Sequence, residues 1–242
     1  MKLFNDQEMI QKNVGNFSFS GVRPEKLGAT EYTIVNVITD KTGSVAQFAA
    51  LLVEMKRTVV AACKKDPRAE FLMLRNVWFN TSVEEEHGFV ELANIDPAQF
   101  QQPDCNGLTA LYDATYASIA SANEYAKTLR DNDFGVNAVT FIITDGDDNN
   151  SAHTVADIKA ELARGVQQEL LESSNVILIG INAQQYLRQL EAFKKDAGLT
   201  QFVDAGDATP QNLARIANFV SKSISSQSQA LGTGGASQAL TF

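Results

Sequence analysis

Apolar runs typical of buried strands alternate with amphipathic helical patterns between about residues 32 and 224. The first run, residues 32–39, is rich in β-branched side chains, and residues 44–62 after it carry apolar residues at helical spacing. This alternation indicates strand–helix–strand units that form a parallel sheet. The predicted fold class is therefore α/β: a doubly wound, mostly parallel sheet of Rossmann-like topology with one antiparallel edge strand.

The later segments continue this order and add one antiparallel pair. Residues 71–79 and 88–92 predict two strands of a hairpin, joined by the segment TSVEEEHG, whose acidic run Glu84–Glu86 we expect to be a solvated turn. The remaining predictions are a helix at 110–129, a strand at 138–144, a helix opened by the capping pair Thr154 and Asp157, a strand at 175–181, a helix at 187–195, a strand at 201–205 and a final helix at 210–224.

The alternation divides the chain into three parts. Residues 1–30 are an N-terminal extension in which Phe17 and Phe19 alternate with serines, as in an added edge strand. Residues 31–225 form the main domain. Residues 226–242 are poor in charge and rich in Ser, Gln, Gly and Ala, which predicts a flexible C-terminal tail.

Composition narrows the class of partner. The chain has 242 residues and a formal net charge of -9, which disfavours binding to nucleic acid or to an anionic membrane surface. Cys63 and Cys105 form no metal-binding motif, and we expect two reduced thiols. Asp6 and Glu8 interrupt the apolar run that a secretory signal needs, so we predict a cytoplasmic protein.

Oxygen-bearing side chains follow three of the predicted strands, at the sheet edge where α/β proteins bind ligands. Asp40, Thr42 and Ser44 lie in the segment DKTGS after the first strand. Thr109 precedes a later helix in the segment NGLT, and Asp145 opens TDGDDNN after the strand at 138–144. Carboxylate and hydroxyl oxygens suit a hard divalent cation, so these loops predict a metal site.

The motifs DxTxS, GLTALYDA and TDG, in this order, resemble the von Willebrand factor A (vWA) family over residues 30–225. The resemblance implies a vWA fold with a metal-ion-dependent adhesion site. In it, Ser44 and Thr109 would bind Mg²⁺ (or Mn²⁺ or Ca²⁺) directly, Thr42 would lie close to the metal, and Asp40 and Asp145 would act largely through water. The family usually has serine where this chain has Thr42. The segments DKTGS and SISSQSQA resemble bacterial intracellular members that are found with tellurium-resistance systems.

The family resemblance implies a binding module and not an enzyme. A cation held mainly by neutral hydroxyls keeps much of its charge, so an open coordination position attracts an anionic oxygen. We expect an aspartate or glutamate of a protein partner to fill that position.

Two other functions stay open. DKTGS is also close to the DKTGT motif of P-type pumps and of haloacid-dehalogenase-like enzymes, in which Asp40 would be a phosphorylated nucleophile beside Mg²⁺. Alternatively the metal is purely structural, and the chain assembles with itself through its N-terminal strand or its tail.

Several polar residues have no assigned partner in the sequence. We expect His87 and His153 to be surface or capping residues, and Asp147 and Asp148 to lie in a solvated turn that Asn149 and Asn150 support. A second ion at Asp147 and Asp148 is the alternative. Asn36, inside the first strand, needs buried partners, either neighbouring backbone or the metal loop.

Overall fold

A computed structural model describes residues 8–237 and 239–242, which form a mixed sheet with helices on both faces. The strands are β1 (Met9–Val14), β2 (Phe17–Val22), β3 (Glu31–Asp40), β4 (Leu72–Phe79), β5 (Val83–Glu91), β6 (Gly135–Thr144), β7 (Ser174–Gly180) and β8 (Gln201–Asp204). The helices are α1 (Ala49–Cys63), α2 (Leu111–Arg130), α3 (Val155–Gln167), α4 (Leu187–Ala197) and α5 (Pro210–Thr233).

The sheet confirms the predicted α/β class. Its order is β1-β2-β5-β4-β3-β6-β7-β8, and β4, β3, β6, β7 and β8 are mutually parallel. The central strand β3 is buried on both faces, as its continuous apolar sequence requires. Helices α1 and α5 pack on each other, while α2, α3 and α4 follow one another along the sheet. The carboxyl ends of β3 and β6 meet at the centre of one edge.

Three strands, β5, β2 and β1, lie beyond β4 at the edge where one antiparallel strand was predicted. Strand β5 pairs antiparallel with β4, β2 runs parallel to β5, and β1 closes a hairpin with β2. Phe19 is 2% exposed and packs edge-to-face on Phe89 of β5. The N-terminal hairpin thus covers the edge of β5 and shares the core of the domain.

The first helix begins later than the sequence pattern predicts. Residues Gly43–Phe48 wind as a 3-10 helix, and the α-helix α1 starts at Ala49. Two turns of apolar periodicity do not distinguish 3.0 from 3.6 residues per turn. Thr154 and Asp157 do form the predicted capping box at the start of α3.

The tail predicted from residue 226 begins later than expected, because α5 continues to Thr233. Gln227 on the added turns is 1% exposed, and its backbone carbonyl accepts a hydrogen bond from Asn137 Nδ2 at 2.8 Å. Its own side-chain amide donates to the carbonyl of Ala138. A largely polar sequence can therefore order here, because it satisfies buried polar groups of β6 and also buries Leu231.

Residues beyond α5 also contact the core. The Phe242 ring lies edge-to-face on Phe219 with ring centroids 5.6 Å apart, and the Arg215 guanidinium lies over it. Gln201 Nε2 donates to the carbonyl of Leu240. These contacts hold the described end of the chain against α5 and the start of β8.

The acidic run Glu84–Glu86 is not a solvated turn, because its three residues belong to β5 and each forms an ion pair. Glu84 pairs with Lys41, Glu85 with Arg75 and Glu86 with Lys56. Arg75 and Lys56 are each 1% exposed, and the Lys56 ammonium also lies 3.7 Å from the ring centre of Trp78. In the sequence these acids look like surface residues, but in the structure Glu85 and Glu86 neutralise the buried cations Arg75 and Lys56.

His87, expected at the surface, is 4% exposed in the same strand. Its ring stacks on Phe100, and its Nε2 lies 2.9 Å from Asn76 Nδ2. Burial lowers the pKa of His87 to about 4. The ring is therefore neutral at physiological pH. It packs as a core residue.

We predict that the Glu86→Gln substitution costs about 3 kcal/mol of unfolding free energy, because it leaves the buried Lys56 ammonium without its counter-ion. The matched control is Glu84→Gln. Glu84 is 56% exposed in its pair with Lys41, so its loss should cost less than about 1 kcal/mol. Urea unfolding at pH 7 measures both, and equal losses would contradict a buried role for the Lys56 pair.

Candidate functional site

Four of the five predicted metal-site residues line one cleft at the carboxyl edge of the sheet, and the fifth, Asp40, lies beneath it. Asp40 is the last residue of β3, and Thr42 and Ser44 follow on the turn into the 3-10 helix. Asp145 directly follows β6, and Thr109 precedes α2. The cleft has a volume of about 260 Å³ and is lined by residues of all three loops and by Tyr186.

Asp40 is the buried foundation of this arrangement. It is 1% exposed; its Oδ1 accepts a hydrogen bond from the backbone N–H of Thr42 at 2.7 Å, and its Oδ2 accepts one from Thr144 Oγ1 at 2.7 Å. Burial, with a smaller contribution from the nearby Asp145 carboxylate, raises the pKa of Asp40 to about 6, against the lowering effect of these hydrogen bonds. Asp40 supports the site from below and does not line the cleft.

Three hydroxyl and carboxyl oxygens then form a chain across the cleft. Thr42 Oγ1 lies 3.0 Å from Ser44 Oγ, and Ser44 Oγ donates to Asp145 Oδ1 at 2.9 Å. Burial raises the pKa of Asp145, whereas the hydrogen bond from Ser44 lowers it. The pattern DxTxS thus places its two hydroxyls side by side, facing the carboxylate of the neighbouring strand.

Thr109 reaches the same place from a third loop. Gly107, with φ of +79°, turns the chain where a Cβ would lie 2.6 Å from Thr81 Oγ1, so only glycine fits. A Cβ on Gly146 would lie 3.9 Å from Thr109 Oγ1. The Thr109 hydroxyl is therefore close to the residue that follows Asp145.

Asn149 fixes the position of Thr109. Its Oδ1 accepts a hydrogen bond from the Thr109 N–H at 2.8 Å, and its own N–H donates to the Thr109 carbonyl at 2.9 Å. The sequence suggests only a turn-supporting role for Asn149. Its pairing with Thr109 depends on two loops far apart in the chain, and no local pattern reveals it.

The two surplus acids separate in the structure. Asp148 turns to the start of α2, where it accepts hydrogen bonds from the Tyr112 N–H and from Ser151. Asp147 lines the cleft instead. They do not form a joint ligand set for a second ion. Over residues 8–237 and 239–242, no group of three or more His, Cys, Asp or Glu side chains is arranged to hold a metal.

His153 and Asn36 form contacts that support the fold and do not contribute to the cleft. His153 Nδ1 lies 2.6 Å from Asp113 Oδ1, and its ring stacks on Tyr116. These contacts join the loop after β6 to α2. Asn36 Nδ2 donates to the carbonyl of Ser118 and to Thr140 Oγ1, so it bonds to α2 and β6 rather than to the metal loop.

The donor set fits a divalent cation. Two buried carboxylates, Asp40 and Asp145, converge with three hydroxyls, and no lysine, arginine or histidine lines the cleft among the described residues. The Asp145 carboxylate raises the pKa of Asp40, and carboxylates that lie close together without a basic partner favour a bound cation.

No protein-family model matches the sequence, and no curated protein sequence matches it. Solved structures do match the fold. The PilB minor pilin from Streptococcus sanguinis superposes with a TM-score of 0.56 at 13% identity, covering 87% of this chain and 64% of the pilin. The open pilus adhesin SpaC from Lactobacillus rhamnosus GG gives 0.57 at 11% identity, covering 92% and 35%.

A third structure carries a metal. Proximal thread matrix protein 1 from the mussel byssus, with zinc in its metal-ion-dependent adhesion site motif, gives a TM-score of 0.51 at 16% identity, covering 80% of this chain and 46% of that protein. This chain spans less than two thirds of the length of each of the three. At these identities the likeness shows the fold alone. The molecule is a Rossmann-like α/β protein, and its fold is vWA-like.

We predict that Thr144→Val costs about 2 kcal/mol of unfolding free energy in the presence of chelator, because it removes a buried hydrogen bond to the Asp40 carboxylate. Thr39→Val is the matched control. Thr39 is equally buried, but its hydroxyl has no hydrogen-bond partner among the described residues, so its replacement should be neutral or stabilising. Urea unfolding measures both; an equal loss would show that Thr144 does not support Asp40.

Proposed function

We propose that this chain is a metal-dependent protein-interaction module. Ser44 and Thr109 bind a divalent cation, Mg²⁺ or alternatively Mn²⁺ or Ca²⁺; Thr42 lies beside it, and Asp40 and Asp145 support it largely through water. The cation supplies a Lewis-acidic position that accepts a carboxylate oxygen of a partner's Asp or Glu. The observation that carries this proposal is the chain of oxygens from Thr42 through Ser44 to Asp145, facing Thr109 in a cleft without basic lining.

Phosphotransfer is the second candidate, and two features argue against it. Asp40 lies beneath the cleft with both carboxylate oxygens hydrogen-bonded, which is a poor arrangement for a nucleophile. The adjacent Lys41 turns away, and its Nζ donates to Glu84 at 2.6 Å, so it does not face a phosphoryl group at Asp40. A hydroxylamine-labile phosphoprotein that forms with acetyl phosphate, and is absent in Asp40→Asn, would support phosphotransfer instead of the binding module.

A purely structural metal is the third candidate, since a cation between the loops of β3, β6 and α2 would also tie them together. Size-exclusion chromatography with and without chelator separates the two roles, because the binding module needs its metal for recognition and not for assembly. The cytoplasmic location and the tellurium-resistance-associated type stay predictions. Within the described residues, no helix is long and apolar enough to cross a membrane.

We predict that the wild-type protein binds Mn²⁺ or Mg²⁺ in calorimetry, and then binds the blocked peptide Gly-Asp-Gly only when metal is present. Ser44→Ala should lower metal affinity at least about tenfold and abolish peptide binding, because it removes a direct ligand. Ser221→Ala, on the surface of α5, is the control and should behave as wild type. Peptide binding in the presence of excess chelator would contradict the proposed function.

Asn149→Ala should lower metal affinity about tenfold without touching a ligand, because the hydrogen bond from the Thr109 N–H is lost. Asn150→Ala is its matched control, since Asn150 is the adjacent exposed asparagine in the same loop. Calorimetric titration with Mn²⁺ compares the two variants. Identical affinities would mean that Thr109 needs no such support or is not a ligand.

A further inference from the structure

The cleft is flanked by apolar side chains that the metal site itself does not require. Among the described residues, three large hydrophobic side chains are exposed: Leu108 (52%), Val166 (74%) and Tyr186 (38%). Leu108 and Tyr186 both line the cleft, whereas Val166 lies on α3 away from it. Exposed apolar side chains gathered at a polar cleft indicate a protein-binding surface rather than a solvated rim.

These two side chains lie on opposite sides of the metal ligands. The Leu108 N–H donates to Thr81 Oγ1 just beyond β4, which places Leu108 on the β4 side. Tyr186 precedes α4 and follows β7, and its ring approaches Gly146 from that side. Since β3 and β6 lie between β4 and β7 in the sheet, the predicted cation lies between the two apolar contacts.

Asp147 adds a charge to the same surface. Its carboxylate lines the cleft and accepts a hydrogen bond from the Asp148 N–H, but no basic side chain of the described part of the chain pairs with it. With Asp40 and Asp145 it gives the site three carboxylates against the two charges of a divalent cation. An incoming carboxylate is therefore repelled at Asp147 unless the partner brings a positive charge there.

We propose that the cleft recognises an acidic residue that has apolar neighbours on both sides and a lysine or arginine close by. The inference rests on the proposed function, because the acidic residue is the one that completes the metal. Leu108 and Tyr186 contact the apolar neighbours, and Asp147 pairs with the basic side chain. The occupant is a segment of a protein partner; a free carboxylate metabolite would use neither apolar contact.

Four blocked, fluorescently labelled peptides test the inference on the Mn²⁺-loaded protein. The reference peptide is Gly-Leu-Asp-Leu-Lys-Gly. Its relatives replace both leucines by glycine, the lysine by glutamate, or the aspartate by asparagine. In fluorescence polarisation, the reference should bind about tenfold more tightly than the glycine peptide, from the buried apolar area. It should bind at least about threefold more tightly than the glutamate peptide, from the ion pair. The asparagine peptide should not bind.

Variants then assign each preference to its residues. The double variant Leu108→Ser, Tyr186→Ser should bind the leucine and glycine peptides equally, while Val166→Ser, at the third exposed site, keeps the tenfold difference. Asp147→Asn should bind the lysine and glutamate peptides within about twofold of each other, while Asp131→Asn on the far end of α2 keeps the preference.

The outcomes separate this inference from the proposed function. If the protein binds metal and the asparagine peptide fails, but the other three peptides bind equally, the flanking preferences are overturned and the metal-dependent module stands. The inference is also overturned if no peptide binds to the metal-loaded protein, or if the glycine peptide binds best. Absence of any metal binding overturns the proposed function first.

Discussion

The site depends on the burial of one carboxylate, Asp40, at the end of the central strand. Two hydrogen bonds hold it, one from the Thr42 N–H on its own loop and one from the Thr144 hydroxyl on the neighbouring strand β6. The first sets the turn that presents Thr42 and Ser44, and the second locks that turn to the strand that carries Asp145. A buried carboxylate with raised pKa is costly, and this cost is tolerated where the group orders the oxygens around it.

The opposite half of the sheet also contains buried charges, and there salt bridges neutralise them. Lys56 and Arg75 are buried where β4 packs, and the acids of β5 neutralise them from the neighbouring strand. The N-terminal hairpin completes this arrangement, because Ser20 of β2 donates to the same Glu85 that pairs with Arg75. The antiparallel edge is therefore joined to the parallel core by charge as well as by apolar packing, and it holds the end of β4, on which the Leu108 loop rests.

The sequence predicts the parallel core well, because its long strands are rich in buried apolar residues and each helix has an apolar face. It also predicts that Asp40, Thr42, Ser44, Thr109 and Asp145 follow strands or precede a helix, and parallel topology brings such positions together. It fails where a polar residue is satisfied by a distant partner. Gln227 looks like a residue of a disordered tail, and Glu86 looks like part of a turn, because their partners Asn137 and Lys56 are remote in the chain.

The same reasoning explains why the partner's chemistry is visible only in three dimensions. Leu108, Asp147 and Tyr186 belong to three loops, and in the sequence each is an ordinary loop residue. Asp145 and Asp147 line the cleft and Asp40 lies beneath it, so the proposed divalent cation would face three carboxylates, a surplus of negative charge in a protein that is itself acidic. By the proposal, such a site binds an isolated carboxylate only weakly. It prefers a carboxylate whose surroundings supply both apolar contact and compensating positive charge, which would place its specificity in the residues around the metal rather than in the metal ligands.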